Sequence, residues 1–275
     1  MKNRTLFIVG LICMWVISVY IYSFQNGWQS HDLLRSALFI LGEITIIVSG
    51  IFTVIKYGLG NITGKTVLIL IIGFFLWMIG STTYSINTFV LGIDEYPSLA
   101  DLFILTGYFF ILAGLLHEIV QRKVSFRTPY KLALLAIGFV IGVVIFYFGF
   151  YLAIDPTASW FVNFVSVAYG VWDLILLMTL IVVLMMAVEY RGGKMFLPWL
   201  AIFIGMIVQL VADIFFTFFY VQYGEQLWPY YEGIDILWIT AYLFFAYGLL
   251  SFGLIVKDAQ HAIAGKLAVE SKSKK

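Results

Sequence analysis

The chain alternates long apolar runs with short polar connections. Apolar windows of about 20 residues are what a helix needs to cross a hydrocarbon layer about 30 Å thick. Such windows predict helices at 6–24, 33–56, 67–91, 99–117, 132–154, 161–188, 197–221 and 233–255. The connections read QNGWQSHD, GLGNITGKT, GIDEYPS, QRKVSFRTPYK, IDPTAS, EYRGGKMF and YGEQLWPYYEG. None of them is long enough to hold a folded soluble domain. The pattern predicts an all-α fold, a polytopic bundle of eight transmembrane helices with both termini on one side of a lipid bilayer.

Composition narrows the class further. Of 275 residues, 63% are apolar and 11% charged, against roughly 25% charged in soluble domains. A water-soluble enzyme is excluded. Cys13 is the single cysteine and can form no intrachain disulfide. The net charge of +1 is spread between apolar segments, so there is no footprint for nucleic acid. His31, His117 and His261 lie far apart, and no zinc, haem or nucleotide-loop spacing occurs, so no metal site is predicted and any cofactor is unknown.

The distribution of charge orients the chain, because Lys and Arg collect on the cytoplasmic side. With the amino terminus inside, 15 of the 16 basic residues fall on that side and Arg35 alone falls outside. The other face carries Asp32, Asp94, Glu95, Asp101, Asp155, Glu225, Glu232 and Asp235. This predicts a multi-pass protein of a prokaryotic cytoplasmic membrane with both termini cytoplasmic. The first apolar run follows Lys2 and Arg4, as a signal peptide would, but it lacks a small-x-small site before Gln25 and is expected to be a retained helix. In the tail, 256–275, the residues Val256, Ala259, Ala262, Ile263 and Leu267 predict a short amphipathic helix at the inner surface, followed by a disordered lysine-rich end.

An internal match divides the rest of the chain. Gly73 and Gly92 correspond to Gly205 and Gly224 at a separation of 132 positions. Asp101, Thr106, Tyr108, Gly114, Leu115 and Leu116 correspond to Asp235, Thr240, Tyr242, Gly248, Leu249 and Leu250 at a separation of 134. A looser correspondence sets Glu43 opposite Asp173. Two repeats of four spans each, 1–127 and 128–255, would share one orientation, which predicts a parallel 4+4 duplication. The matched glycines are expected to permit close helix packing in lipid.

Few polar residues interrupt the spans, which singles out Glu43, Asp173 and Asp213. An unpaired charge facing lipid is costly, so these acids should face the bundle or water, pair with polar groups, or be protonated. Asp101 and Asp235 fall at the predicted starts of helices four and eight, where an acid can also cap free backbone N–H groups. The Asp-x6-Tyr spacing puts Asp101 with Tyr108, and Asp235 with Tyr242, near one helical face. The expected site joins Glu43, Asp101, Tyr108, Asp173, Asp213, Asp235 and Tyr242 as ligand-binding or proton-relay groups. Tyr84, Trp77, Trp172 and Trp238 would add hydrogen bonds or aromatic walls. A site of that composition favours a small cationic or amphipathic ligand, or protons.

The segment Tyr96-Pro97-Ser98-Leu99-Ala100-Asp101 and the residues after it to Tyr108 resemble the YPxxAD pattern of polytopic membrane modules at the amino termini of some prokaryotic histidine kinases and diguanylate cyclases. A degenerate second copy runs from Trp228-Pro229 to Tyr242. The resemblance implies a sensory module and, since no kinase or cyclase segment follows in this sequence, a separate cytoplasmic signalling partner. The leading expectation is thus a stand-alone membrane sensory or ligand-binding module, with an acidic, aromatic site opening to the outer face and no catalytic residue assigned. A small cation- or proton-coupled transporter is the alternative. An intramembrane lipid-modifying enzyme, which the lysoplasmalogenase class resembles in its span count, is the third.

Overall fold

The structure, a computed structural model, describes residues 2–24, 30–93, 96–122, 128–189, 194–223 and 228–273. Among these, eight α-helices follow one another: α1 Lys2–Phe24, α2 Ser30–Tyr57, α3 Ile62–Ser85, α4 Leu99–Arg122, α5 Thr128–Ile145, α6 Trp160–Glu189, α7 Phe196–Tyr223 and α8 Trp228–Ser273. A π-helical turn extends α3 through Ile86–Leu91 and another extends α5 through Phe146–Tyr151. Six helices hold stretches long and apolar enough to cross a membrane, from Leu34–Tyr57 in α2 to Gly233–Gln260 in α8. In α1 and α5 the corresponding stretches, Thr5–Tyr20 and Leu135–Val144, are shorter among the described residues. The chain is therefore an all-α polytopic membrane protein.

Its helices are turned inside out relative to a soluble bundle. On α2, Leu41, Ile44, Val48, Ile51 and Ile55 are all exposed. They recur at the intervals of three and four that trace one helical stripe. Glu43, Ser49 and Thr53 on the same helix are buried. An apolar outer stripe costs nothing in hydrocarbon, whereas polar groups there need partners inside the bundle. Thr53 finds its partners in α8, where its hydroxyl donates to the Leu249 carbonyl and accepts from the Gly253 N–H at 3.0 Å. It thereby bridges the carbonyl and the N–H of one i→i+4 pair on α8.

Two helix hairpins, α3–α4 and α7–α8, are the most closely packed pairs, and they pack alike. A Cβ on Gly73 would lie 2.8 Å from the Gly107 carbonyl oxygen and 2.6 Å from Ile111. A Cβ on Gly205 would lie 3.1 Å from the Ala241 carbonyl oxygen and 2.9 Å from Phe245. Ala241 and Phe245 stand 134 positions after Gly107 and Ile111, the separation found in the sequence match. Likewise Gly114 faces Leu70, and Gly248 faces Ile202, which lies 132 positions after Leu70. Glycine is needed at these points because the facing backbone already fills the space of a side chain. Each hairpin then packs against the second helix of the other half, α4 on α6 and α8 on α2.

Three expectations change. The eighth helix begins at Trp228, not near 233, because Pro229 falls in the first turn, where a missing N–H breaks no helical bond. Asp235 consequently lies two turns inside α8 and cannot cap its start. The tail helix is not a separate element at the inner surface: α8 runs unbroken through Ser273, and the last two lysines lie outside the described residues. Asp94, Glu95 and Glu225, expected on the outer face, also lie outside them.

Candidate functional site

The predicted acids separate into two groups. The larger spans α4, α6, α7 and α8. On α6, Ser166, Tyr169 and Asp173 are spaced three and four residues apart and so line one face. The parallel helix α4 answers them rung by rung. The Tyr96 hydroxyl lies 3.0 Å from Ser166 Oγ, ahead of α4; Tyr169 donates to Asp101 Oδ1 at 2.7 Å; Tyr108 donates to Asp173 Oδ1 at 2.8 Å. The seven-residue Asp101–Tyr108 spacing thus matches the four-residue Tyr169–Asp173 spacing with the donor and acceptor exchanged between the helices.

Asp101 combines this contact with the capping role weighed for it. Ser98 is the N-cap of α4: its Oγ accepts from the Ala100 N–H at 3.2 Å. The Asp101 carboxylate reaches back to accept the Ser98 N–H at 2.6 Å. This reciprocal pair is a capping box. It fixes one carboxylate oxygen and leaves the other for Tyr169.

Asp213 approaches the same region from α7. It accepts from Trp238 Nε1 of α8 at 2.7 Å and from Gln209 Nε2, one turn earlier on α7, at 3.1 Å. Asp213 is close enough for its charge to act on Asp173, Tyr108 and Tyr169. Aromatic rings fill the spaces between. Tyr108 meets Trp77 edge-on at 4.9 Å, and Tyr169 and Trp172 each at 6.2 Å. Among the described residues no lysine or arginine contacts Asp101, Asp173 or Asp213. The group can therefore hold positive charge that the chain itself does not supply.

Glu43 stands apart. Halfway along α2, about 20 Å from its start at 1.5 Å per residue, it is buried and contacts Ser81 of α3, whose Oγ lies 2.9 and 2.8 Å from its two carboxyl oxygens. Tyr242 is buried beside it: the ring lies against Gly42 and meets Phe39 edge-on at 5.7 Å. Asp235 is partly buried and has its own interactions. Tyr84, expected as a site wall, is exposed.

The sequence did not single out Tyr169, Gln209 or Ser81, nor a third polar cluster at the other end of the α3–α4 hairpin. There Glu118 is buried, pairs with Arg122 Nη2 at 2.9 Å and accepts from Thr66 Oγ1 at 2.9 Å. Arg122 also donates to Thr63 Oγ1, and His117 Nδ1 lies 3.0 Å from Thr66 Oγ1. Each side chain meets a partner of opposite character, as in a structural clasp. The i, i+4 spacing of Glu118 and Arg122 was the available signal. Among the described residues no group of His, Cys, Asp and Glu has the arrangement of a metal site. One small cavity, lined entirely by apolar side chains including Phe74, Met206 and Phe245, lies within the core.

No protein-family profile, curated protein or solved structure matches the chain.

Proposed function

We propose that the chain is a membrane sensory or ligand-binding module of a prokaryotic cytoplasmic membrane, with cytoplasmic termini, built by a 4+4 duplication. Its site is the group formed by Asp101, Tyr169, Tyr108, Asp173 and Asp213. The observation that carries the reading is the gathering of three carboxyl groups from three helices with no basic partner among the described residues. In a low-dielectric bundle such a group attracts a cation or protons strongly. Tyr108, Trp77 and Trp172 present aromatic faces suited to an alkylammonium group. Occupancy would pull α4, α6 and α7 together, and the signal would leave through α8 toward a cytoplasmic signalling partner, in keeping with the YPxxAD resemblance. Equal packing of the two hairpins favours the duplication.

The test is calorimetric titration of the full chain in nanodiscs with sodium, guanidinium and tetramethylammonium ions. Binding of at least one probe should be weakened at least tenfold by Asp173→Asn and by Asp213→Asn. Equal affinity in wild type and both variants would remove this site. A small cation- or proton-coupled transporter is the second reading, favoured by the repeated hairpins. It differs in one measurable respect: the same probe would accumulate in proteoliposomes, whereas a sensor binds without flux. A lipid-modifying enzyme is the third reading, and no catalytic residue is assigned for it.

A further inference from the structure

Glu43 and its partner hold positions that mirror the larger acidic group. Asp173 lies 130 positions after Glu43, and Asp213 lies 132 after Ser81. Tyr242, against Gly42, lies 134 after Tyr108, and Tyr169 lies 130 after Phe39. The edge-on contact of Phe39 with Tyr242 at 5.7 Å repeats that of Tyr169 with Tyr108 at 6.2 Å. Thus the same place in each half holds a buried carboxyl group, facing Ser81 in one half and near Asp213 in the other.

The hydrogen count at Glu43 is informative. Ser81 Oγ lies 2.9 Å from Glu43 Oε1, 2.8 Å from Oε2 and 3.2 Å from the Met78 carbonyl oxygen. A hydroxyl has one hydrogen, so it cannot donate to three acceptors. An ionised carboxylate can accept about four hydrogen bonds, and here it would be buried, 2% exposed, with that one shared donor. A carboxylic acid resolves the count. Its O–H donates to Ser81 Oγ, and the Ser81 hydroxyl donates to the Met78 carbonyl, the usual back-bond of a serine inside a helix.

Among the described residues the surroundings offer no compensating charge. α2 packs on α1, α3 and α8. Among the described side chains the titratable groups on these helices are Cys13 and Tyr20 of α1, Arg35, Lys56 and Tyr57 of α2, Lys65 and Tyr84 of α3, and Asp235, Tyr242, Tyr247, Lys257 and Asp258 of α8. Among the described residues none of these acts electrostatically on Glu43.

We propose that Glu43 and Ser81 form a proton-binding site, loaded at neutral pH, at the position that corresponds to the Asp173–Asp213 site in the other half. Removing the proton would leave a carboxylate with a single hydroxyl donor between α2 and α3, so loading and unloading would change how those helices pack.

Infrared spectroscopy of the full chain in nanodiscs at pH 7 tests this. Wild type should show the carbonyl stretch of a protonated carboxyl group, and labelling glutamate with 13C at the side-chain carboxyl should displace it. Glu43→Gln should remove one carboxyl equivalent of that band. Ser81→Ala should raise its frequency, because the acid O–H loses its acceptor. Absence of any component that moves with the glutamate label overturns the assignment. So does a label-shifted component that survives in Glu43→Gln, or one that ignores Ser81→Ala and so belongs to another glutamate. The labelled wild type with Ser81→Ala decides the matter if Glu43→Gln does not fold.

Discussion

Replacing Tyr108 by Phe deletes one hydroxyl and keeps the ring against Trp77, Tyr169 and Trp172. The only bond lost is the 2.8 Å donation to Asp173. Hydrogen bonds between transmembrane helices average about 0.6 kcal/mol and reach about 1.7, whereas bonds to charged groups in soluble proteins run at about 1.5–3. Asp173 is 2% exposed and Tyr108 is its one side-chain donor among the described residues, which places this bond near the top of the membrane range. The expected loss is about 1.5 kcal/mol, or about tenfold in the unfolding equilibrium. Reversible unfolding in mixed micelles measures it, and a cycle with Asp173→Leu should show a coupling of about 1 kcal/mol. Two results would refute the reasoning: a Tyr108→Phe protein within about 0.3 kcal/mol of wild type, or strict additivity in the double variant, since either means that the hydroxyl and carboxyl do not share a bond.

Gly73→Ala and Gly205→Ala should each destabilise by about 1–3 kcal/mol through overpacking, measured by the same unfolding assay. Gly142→Ala, with open space around it, should not destabilise, and a loss at Gly142 equal to that at Gly73 would contradict the packing equivalence. Arg122→Met should cost about 2 kcal/mol, less than for a fully buried pair because its side chain is 30% exposed. Adding Glu118→Gln should recover part of that loss. In the α5–α6 connection, hydrogen bonds from the Thr157 hydroxyl and N–H hold the Asp155 carboxyl below the usual carboxylate range. A lowered folded-state value means that the turn's stabilisation is present above the ordinary Asp range and disappears as pH falls through the lowered value. The protection factor of the Thr157 amide, the unstructured exchange rate divided by the observed rate at the same pH, should therefore fall at acidic pH in wild type, but show no such step in Asp155→Asn.

The elements were legible because an apolar run of membrane length has few alternatives, and α6 and α7 fall within two residues of the spans read from sequence. Depth was legible for the same reason: Glu43, Asp173 and Asp213 interrupt otherwise apolar windows. Partnership was not. Nothing in the linear order says that α4 packs against α6, so Tyr169 could not be distinguished from the many interfacial tyrosines, although it sits one turn before Asp173. Glu118 was hidden differently. It occurs in a polar helix end counted toward membrane orientation, where a buried ion pair and a solvated one look alike. Asp235 was misplaced because WPYYEG carries the proline, glycine and aromatic content of a connection, while a proline in the first turn is equally a helix start.

The uninterrupted length of α8 has a mechanical consequence. Its 46 residues correspond to roughly 69 Å at 1.5 Å per residue, more than twice the thickness of the hydrocarbon core. The stretch beyond Gln260 alone projects about 20 Å. With no break in the helix between Thr53's contact at Leu249 and Ser273, about 36 Å at 1.5 Å per residue, a tilt of about 10° within the bundle would swing the Ser273 end by about 6 Å. Such a lever turns a packing adjustment around Trp238 into a displacement large enough to make or break a contact with whatever stands at its tip.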